Sequence, residues 1–155
     1  MFAEPGSKRV KELDLHLRKS LEQKDFDSFR QHHDKLGVLL NEKGVLLPDL
    51  LSHFTAKHKL YGMAAEAVAN NRMTPGNALE LVGARLNLHR VHDAAIKDLT
   101  EAKAALDKIH GNNLTIQLSH SISAPSDLHE AYKAHLNENI AKIRKIREKN
   151  LSERF

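Results

Sequence analysis

Residues 75–110 read PGNALELVGARLNLHRVHDAAIKDLTEAKAALDKIH, and the fold class follows from this stretch. Thr74 offers an N-cap hydroxyl, and Pro75 stands where a first helical turn tolerates a missing N–H. Leu81, Ala84, Leu88, Val91, Ala95, Leu99, Ala102, Leu106 and Ile109 then recur at spacings of three and four. That period belongs to an α-helix with one apolar stripe. Sustained for about eight turns, it predicts a bundle or coiled-coil seam. Leu79, Val82, Leu86 and Ile96 lie off the stripe, so the first half is expected to touch more than one neighbour, as a central bundle helix does. Gly111-Asn112-Asn113 ends the helix.

Upstream, Val10, Leu13, Leu17 and Leu21 repeat the rhythm after Pro5-Gly6-Ser7. With Ser7 as N-cap, residues 1–6 become a flexible leader and 7–155 a single helical-bundle domain. Residues 23–28 read as a tight turn in which Asp25 caps the next helix. Phe26, Phe29, His33, Leu36 and Leu40 carry that helix toward a stop at Gly44. Pro48 and Asp49 open a third, striped by Leu47, Leu50, Phe54, His58, Tyr61, Ala65 and Val68. Downstream, residues 112–125 lose the helical period and read as an extended connection packed by Leu114, Ile116 and Leu118. Ser126 or Asp127 caps a last helix, with Leu128, Tyr132, Leu136, Ile140, Ile143 and Ile146 as its stripe. The expected fold is all-α: an antiparallel bundle of four to five helices around a long central helix, about 75–110.

Composition narrows the chemistry. The 155 residues include no Cys and no Trp, which removes disulfides, Cys-ligated zinc and thiol nucleophiles. No apolar run approaches the roughly 20 residues of a membrane span, and MFAEPGSKRV lacks the apolar core of a secretory signal. A cytoplasmic protein, or one exported without a cleavable signal peptide, is expected. The formal charge of +4 is uneven. Residues 140–155 hold six basic residues against Glu148 and Glu153, whereas residues 25–139 are slightly acidic. The last helix therefore concentrates the field that would attract an anionic partner.

Eleven histidines raise the question of metal, and spacing answers it. HExxH is absent, since His129-Glu130 meets its next histidine at His135, and no Glu has a His three residues later. His89 and His92 offer two ligands at most from one helix, so neither metal nor cofactor is expected. His33 and His58 fall within apolar stripes and read as partly buried, pH-sensitive packing residues. G-x-S-x-G and Gly-rich phosphate loops are also missing.

Two short patterns resemble known families. Arg85-Leu-Asn-Leu-His-Arg-Val-His92 resembles the Arg–His element of HEPN-type helical ribonucleases, though Leu86 stands where that family has a polar residue after the Arg. The resemblance implies phosphate binding by Arg85 and polarisation of a 2′-hydroxyl by His92. His33-Asp-Lys-Leu-Gly37 is similar to the His-x-Leu-Lys-Gly element of histidine phosphotransfer domains, with Leu and Lys exchanged. That similarity implies a phosphoryl-accepting histidine.

The functional expectation is a non-enzymatic interaction module (adaptor, assembly or regulatory domain) that binds a protein partner, with no catalytic residues. Lys142, Arg144, Lys145, Arg147 and Lys149 are its candidate contact residues, and the 112–125 connection is a second surface. The alternative is an RNA-directed function: phosphate binding by the same cations, or HEPN-like cleavage by Arg85 and His92. An anionic membrane surface against Ile140, Ile143 and Ile146, and a homo-oligomer, are lesser expectations.

Overall fold

A computed structural model describes residues 5–111 and 125–155, so the expected connection at 112–125, all but its last residue, lies outside the described residues. Among the described residues there are five helices and no strand: α1 Pro5–Glu22, α2 Phe26–Asn41, α3 Pro48–Ala69, α4 Pro75–Gly111 and α5 Pro125–Ser152. The protein is all-α, with α4 as its long helix. Helix α1 opens at Pro5, ahead of Ser7, and α5 opens at Pro125, so Ser126 and Asp127 sit in its first turn. In both cases proline's fixed φ suits the first turn of a helix.

Short-range chemistry sets the turns. The Asp25 carboxylate accepts from the Ser28 N–H at 3.2 Å and caps α2, and the Thr74 hydroxyl accepts from Asn77 at 3.2 Å ahead of Pro75. After α1, Lys24 turns left-handed, at φ 55°. The Lys24 N–H then donates to Leu21 and the Asp25 N–H to Ser20. After α3, Asn71 does the same at φ 58°, with Asn71 bonding back to Val68 and Arg72 to Ala67. Both ends are Schellman motifs, in which otherwise orphaned carbonyls find donors.

Two compact units make up the chain: residues 1–90 with 150–155, and residues 91–149. Nothing in the apolar periodicities announces this division. In the first unit Val10, Leu17, Leu21, Leu36 and Val68 are fully buried, as the stripes of the first three helices predict. Leu60, off its helix's predicted stripe, is fully buried too, whereas Leu47 on that stripe is exposed. Helix α3 is buried over its widest arc, through Phe54, Ala56, Leu60, Tyr61, Ala64, Ala67 and Val68. Its alanines let neighbouring backbones come close on several sides at once.

Helix α4 departs in part from the face that its apolar spacing predicts. Leu88 and Val91, on the predicted seam, are 48% and 62% exposed, while Ala78, Val82, Leu86 and His89 are buried. Over this part of the helix the inner face runs through Val82 and Leu86, which lie off the predicted stripe, and takes in a polar residue. Leu99 and Leu106, farther along the stripe, are half-buried as predicted. The polar residue is His89, its Nε2 lying 3.2 Å from the Ser52 hydroxyl. An apolar count discards such positions, although a hydrogen-bonded imidazole occupies a core site at little cost.

Asp14 ties α1 to α3. Its carboxylate accepts from the Tyr61 hydroxyl at 2.7 Å and pairs with the Lys57 ammonium at 2.9 Å. Burial first, and the Asp14 charge second, push the Tyr61 phenol well above its ordinary pKa. Asp14→Ala would strand both donors and should lower the unfolding free energy by about 1–3 kcal/mol in urea denaturation. Adding Tyr61→Phe should recover part of that loss, because one stranded polar group is then removed.

Candidate functional site

Helices α2 and α3 carry the same spacing, His33-x-x-x-Gly37 and His58-x-x-x-Gly62. The two helices meet at these positions in a reciprocal lock. The imidazoles stack with centroids 3.7 Å apart and planes 10° from parallel. His33 Nε2–H donates to the His58 carbonyl at 2.8 Å, and His58 Nε2–H donates to the His33 carbonyl at 3.0 Å. A carbonyl can only accept, so both rings must carry the proton on Nε2. Gly37 and Gly62 make the room. A Cβ on Gly37 would lie 3.1 Å from His58 Nε2, and one on Gly62 would lie 3.4 Å from His33 Nε2. Phe29 stacks on the outer side of His33, at 5.3 Å. Beside it a hollow of about 350 Å³ is lined by Phe26, Phe29, Arg30, His33 and Glu66 among others. The His33 resembling a phosphotransfer histidine is thus a packing residue whose Nε2 is already engaged.

Burial, then the facing His33 ring, hold the His58 pKa below its ordinary 6.5, while Asp34 opposes the shift. Burial, Lys57 and Arg90 do the same to His53, opposed by Asp14.

Arg85 is also committed to structure. Its guanidinium donates to the carbonyls of Asn150, Glu153 and Arg154, and its Cζ lies 4.5 Å from the centroid of the buried Phe155 ring. Asn150 Nδ2 returns a bond to the Arg85 carbonyl at 2.8 Å. A cation closing the end of α5 satisfies carbonyls that the helix leaves open. His92 is half-buried in the other unit, with a buried Nδ1 that has no partner among the described residues. Among those residues no group of three or more His, Asp or Glu side chains is arranged to hold a metal ion.

In residues 91–149, α4 and α5 run antiparallel. Arg147 pairs with Asp93, and Lys133 pairs with Asp107 at 2.7 Å. The contacts move back along α5 as they move forward along α4. The buried and half-buried residues that trace their seam mix Ile96, Leu99, Leu106, Leu136, Ile140 and Ile143 with His92, Asp93, Lys103, His129, Lys133 and Arg147. This arrangement sorts the candidate contact residues. Arg147 turns inward to Asp93, whereas Lys142 pairs with the equally exposed Glu138 at 3.3 Å. Arg144, Lys145 and Lys149 are exposed, with no carboxylate in salt-bridge range among the described residues. The isoleucine face divides: Ile140 is 6% exposed and Ile143 half-buried, but Ile146 is 55% exposed. Tyr132, read as core, is 54% exposed. No described helix is long and apolar enough to cross a membrane.

Comparison with protein-family models, characterised proteins and solved structures found no match to this chain.

Two predictions follow from the histidine lock. The unfolded chain binds protons that folded His58 and His53 resist, so their contribution is complete above the ordinary pKa of 6.5 and declines as pH falls below it. The melting midpoint should therefore be lower at pH 5 than at pH 7.5, and His58→Asn should narrow that gap. Substituting Ala for a helical Gly gains about 1 kcal/mol of propensity. Gly62→Ala should keep most of that gain. Gly37→Ala should lose it, because the stacked and hydrogen-bonded His58 ring has nowhere to move.

Proposed function

We propose that the protein is a non-enzymatic interaction module that binds an acidic surface of a protein partner through the outer face of α5. The observation that carries this reading is the exposed set Arg144, Lys145 and Lys149, of which Lys149 lies one turn from an exposed Ile146. Cations with no carboxylate in range among the described residues keep their charge available for an incoming one, and an apolar side chain one turn away adds a contact that can be desolvated. Two of the three isoleucines are spent on the seam with α4, which leaves too narrow an apolar face for membrane insertion. Arg85 is engaged by three carbonyls, which speaks against its use as a phosphate-binding residue.

The test is recovery of bound proteins from native cells on the tagged full chain. A variant with Glu at positions 142, 144, 145 and 149 serves as the comparison. Partners should survive nuclease treatment, dissociate by about 0.5 M salt and be lost with the variant. Nuclease-sensitive recovery, or RNA cleavage abolished by His92→Ala, would replace this reading with the RNA-directed one.

A further inference from the structure

Among the described residues of 91–149 the exposed large apolar side chains are Val91, Leu128, Tyr132 and Ile146. Each immediately precedes a seam residue: His92, His129, Lys133 and Arg147 respectively. A helix turns about 100° per residue. In an antiparallel pair, chain direction and facing side reverse together, so the positions just before the seam fall on the same flank of both helices. All four side chains therefore line one side of the α4–α5 pair. Along α5 that flank runs Leu128, Tyr132, His135, Asn139, Lys142, Ile146 and Lys149, at alternating spacings of four and three. This is the spacing of a coiled-coil contact stripe. Its first half is uncharged at neutral His, and its second half is cationic.

Resting on the interaction reading above, we propose that this flank takes an amphipathic helix of a protein partner as the third member of a three-helix coil. The partner's carboxylates lie against Lys142, Lys145 and Lys149. Leu128 to Ile146 spans about 27 Å of helix, so the docked helix needs roughly five turns. Its apolar stripe fills the groove over Val91, Ile146 and Tyr132, the helix-in-groove mode of recognition. Charge selects the occupant. Along α5 a second copy would bring the same cations, with Asp98, which precedes the seam residue Leu99, as a single carboxylate on the α4 side. A phosphate backbone would leave four apolar side chains uncovered.

The probes are synthetic helix-forming peptides of roughly 20 residues with Leu at alternating spacings of three and four. One set carries Glu beside the stripe over its terminal two turns, and the other carries Lys there. Fluorescence anisotropy with the full chain should show binding of the Glu set only, weakened by salt. Tyr132→Glu and Ile146→Glu should each weaken it at least about tenfold, and Lys149→Glu should reduce both affinity and salt dependence. These side chains are exposed, so the melts should not change. If a variant does unfold, Tyr132→Ser and Ile146→Ser serve in its place.

Several outcomes would overturn the inference. Peptide binding could be absent up to about 1 mM, equal for the Lys set, or indifferent to Tyr132 and Ile146. Self-association broken by Ile146→Glu would make the flank an interface between copies. Binding to phosphatidylserine–phosphatidylcholine vesicles in place of peptide would make it a lipid surface. Proteins lost on charge reversal yet retained by Tyr132→Glu and Ile146→Glu would remove helix docking while leaving a cation-dependent interaction in place.

Discussion

The closeness of α2 to α3 depends most on Gly37, which leaves space for the His58 imidazole, while Gly62 gives the His33 imidazole slightly more room on the other side. Stacked at 3.7 Å and bonded to opposite backbones, the rings of His33 and His58 behave as one rigid spacer. They fix both the distance between the helices and their axial register, because a slip of one residue would misplace two hydrogen bonds and two Cβ-free positions together. Helix α1 is laid over this crossing by apolar burial, and Asp14 pins it through Tyr61 and Lys57. Van der Waals packing supplies most of the area in this unit, but directional bonds determine which packing is adopted.

The pairing in residues 91–149 rests on different chemistry. Ion pairs stand at positions where a longer apolar stripe would ordinarily lie, with Asp93 meeting Arg147 and Asp107 meeting Lys133. Partly buried charges of this kind add little net stability, because desolvation offsets the attraction. They do exclude other registers, since a shift of one turn would leave each charge without its partner. A second result concerns the outside of the pair. Polar residues occupy the inner stripe, so apolar ones are displaced to its flank, and that displacement creates the surface on which a partner is proposed to dock.

Much of the fold was legible because its signals are local. Asp25, Thr74-Pro75 and Pro48 act within a turn of themselves, and Val10, Leu13, Leu17 and Leu21 form a stripe with no polar interruption. The inner faces of α4 and α5 were legible only in part: Leu99, Leu106, Leu136, Ile140 and Ile143 of the predicted stripes do turn inward. A hydropathy count assigns Leu88, Val91 and Tyr132 inward and His89, Asp93 and Arg147 outward, and for each of these the structure has the reverse. What decides them is a bond to a residue distant in sequence, such as Ser52 for His89 or Asp93 for Arg147. A single sequence read segment by segment contains no trace of such a bond. The repeated His-x-x-x-Gly spacing was present in the sequence, and it acquires meaning only once two antiparallel helices bring the copies together.

Arg85 holds the carbonyls of residues more than sixty positions away, and Phe155 joins the core built by the first three helices. The first unit is therefore discontinuous in sequence. A chain emerging from the ribosome can form α1, α2 and α3 early, since their contacts are near neighbours, but it cannot seal that unit until residues 150–155 have been made. Closing so long a loop costs only a slowly growing entropy, yet it adds distant contacts, which slow folding. During synthesis the apolar site that Phe155 later fills stays open to solvent, and that interval is when a chaperone would find the nascent chain most exposed.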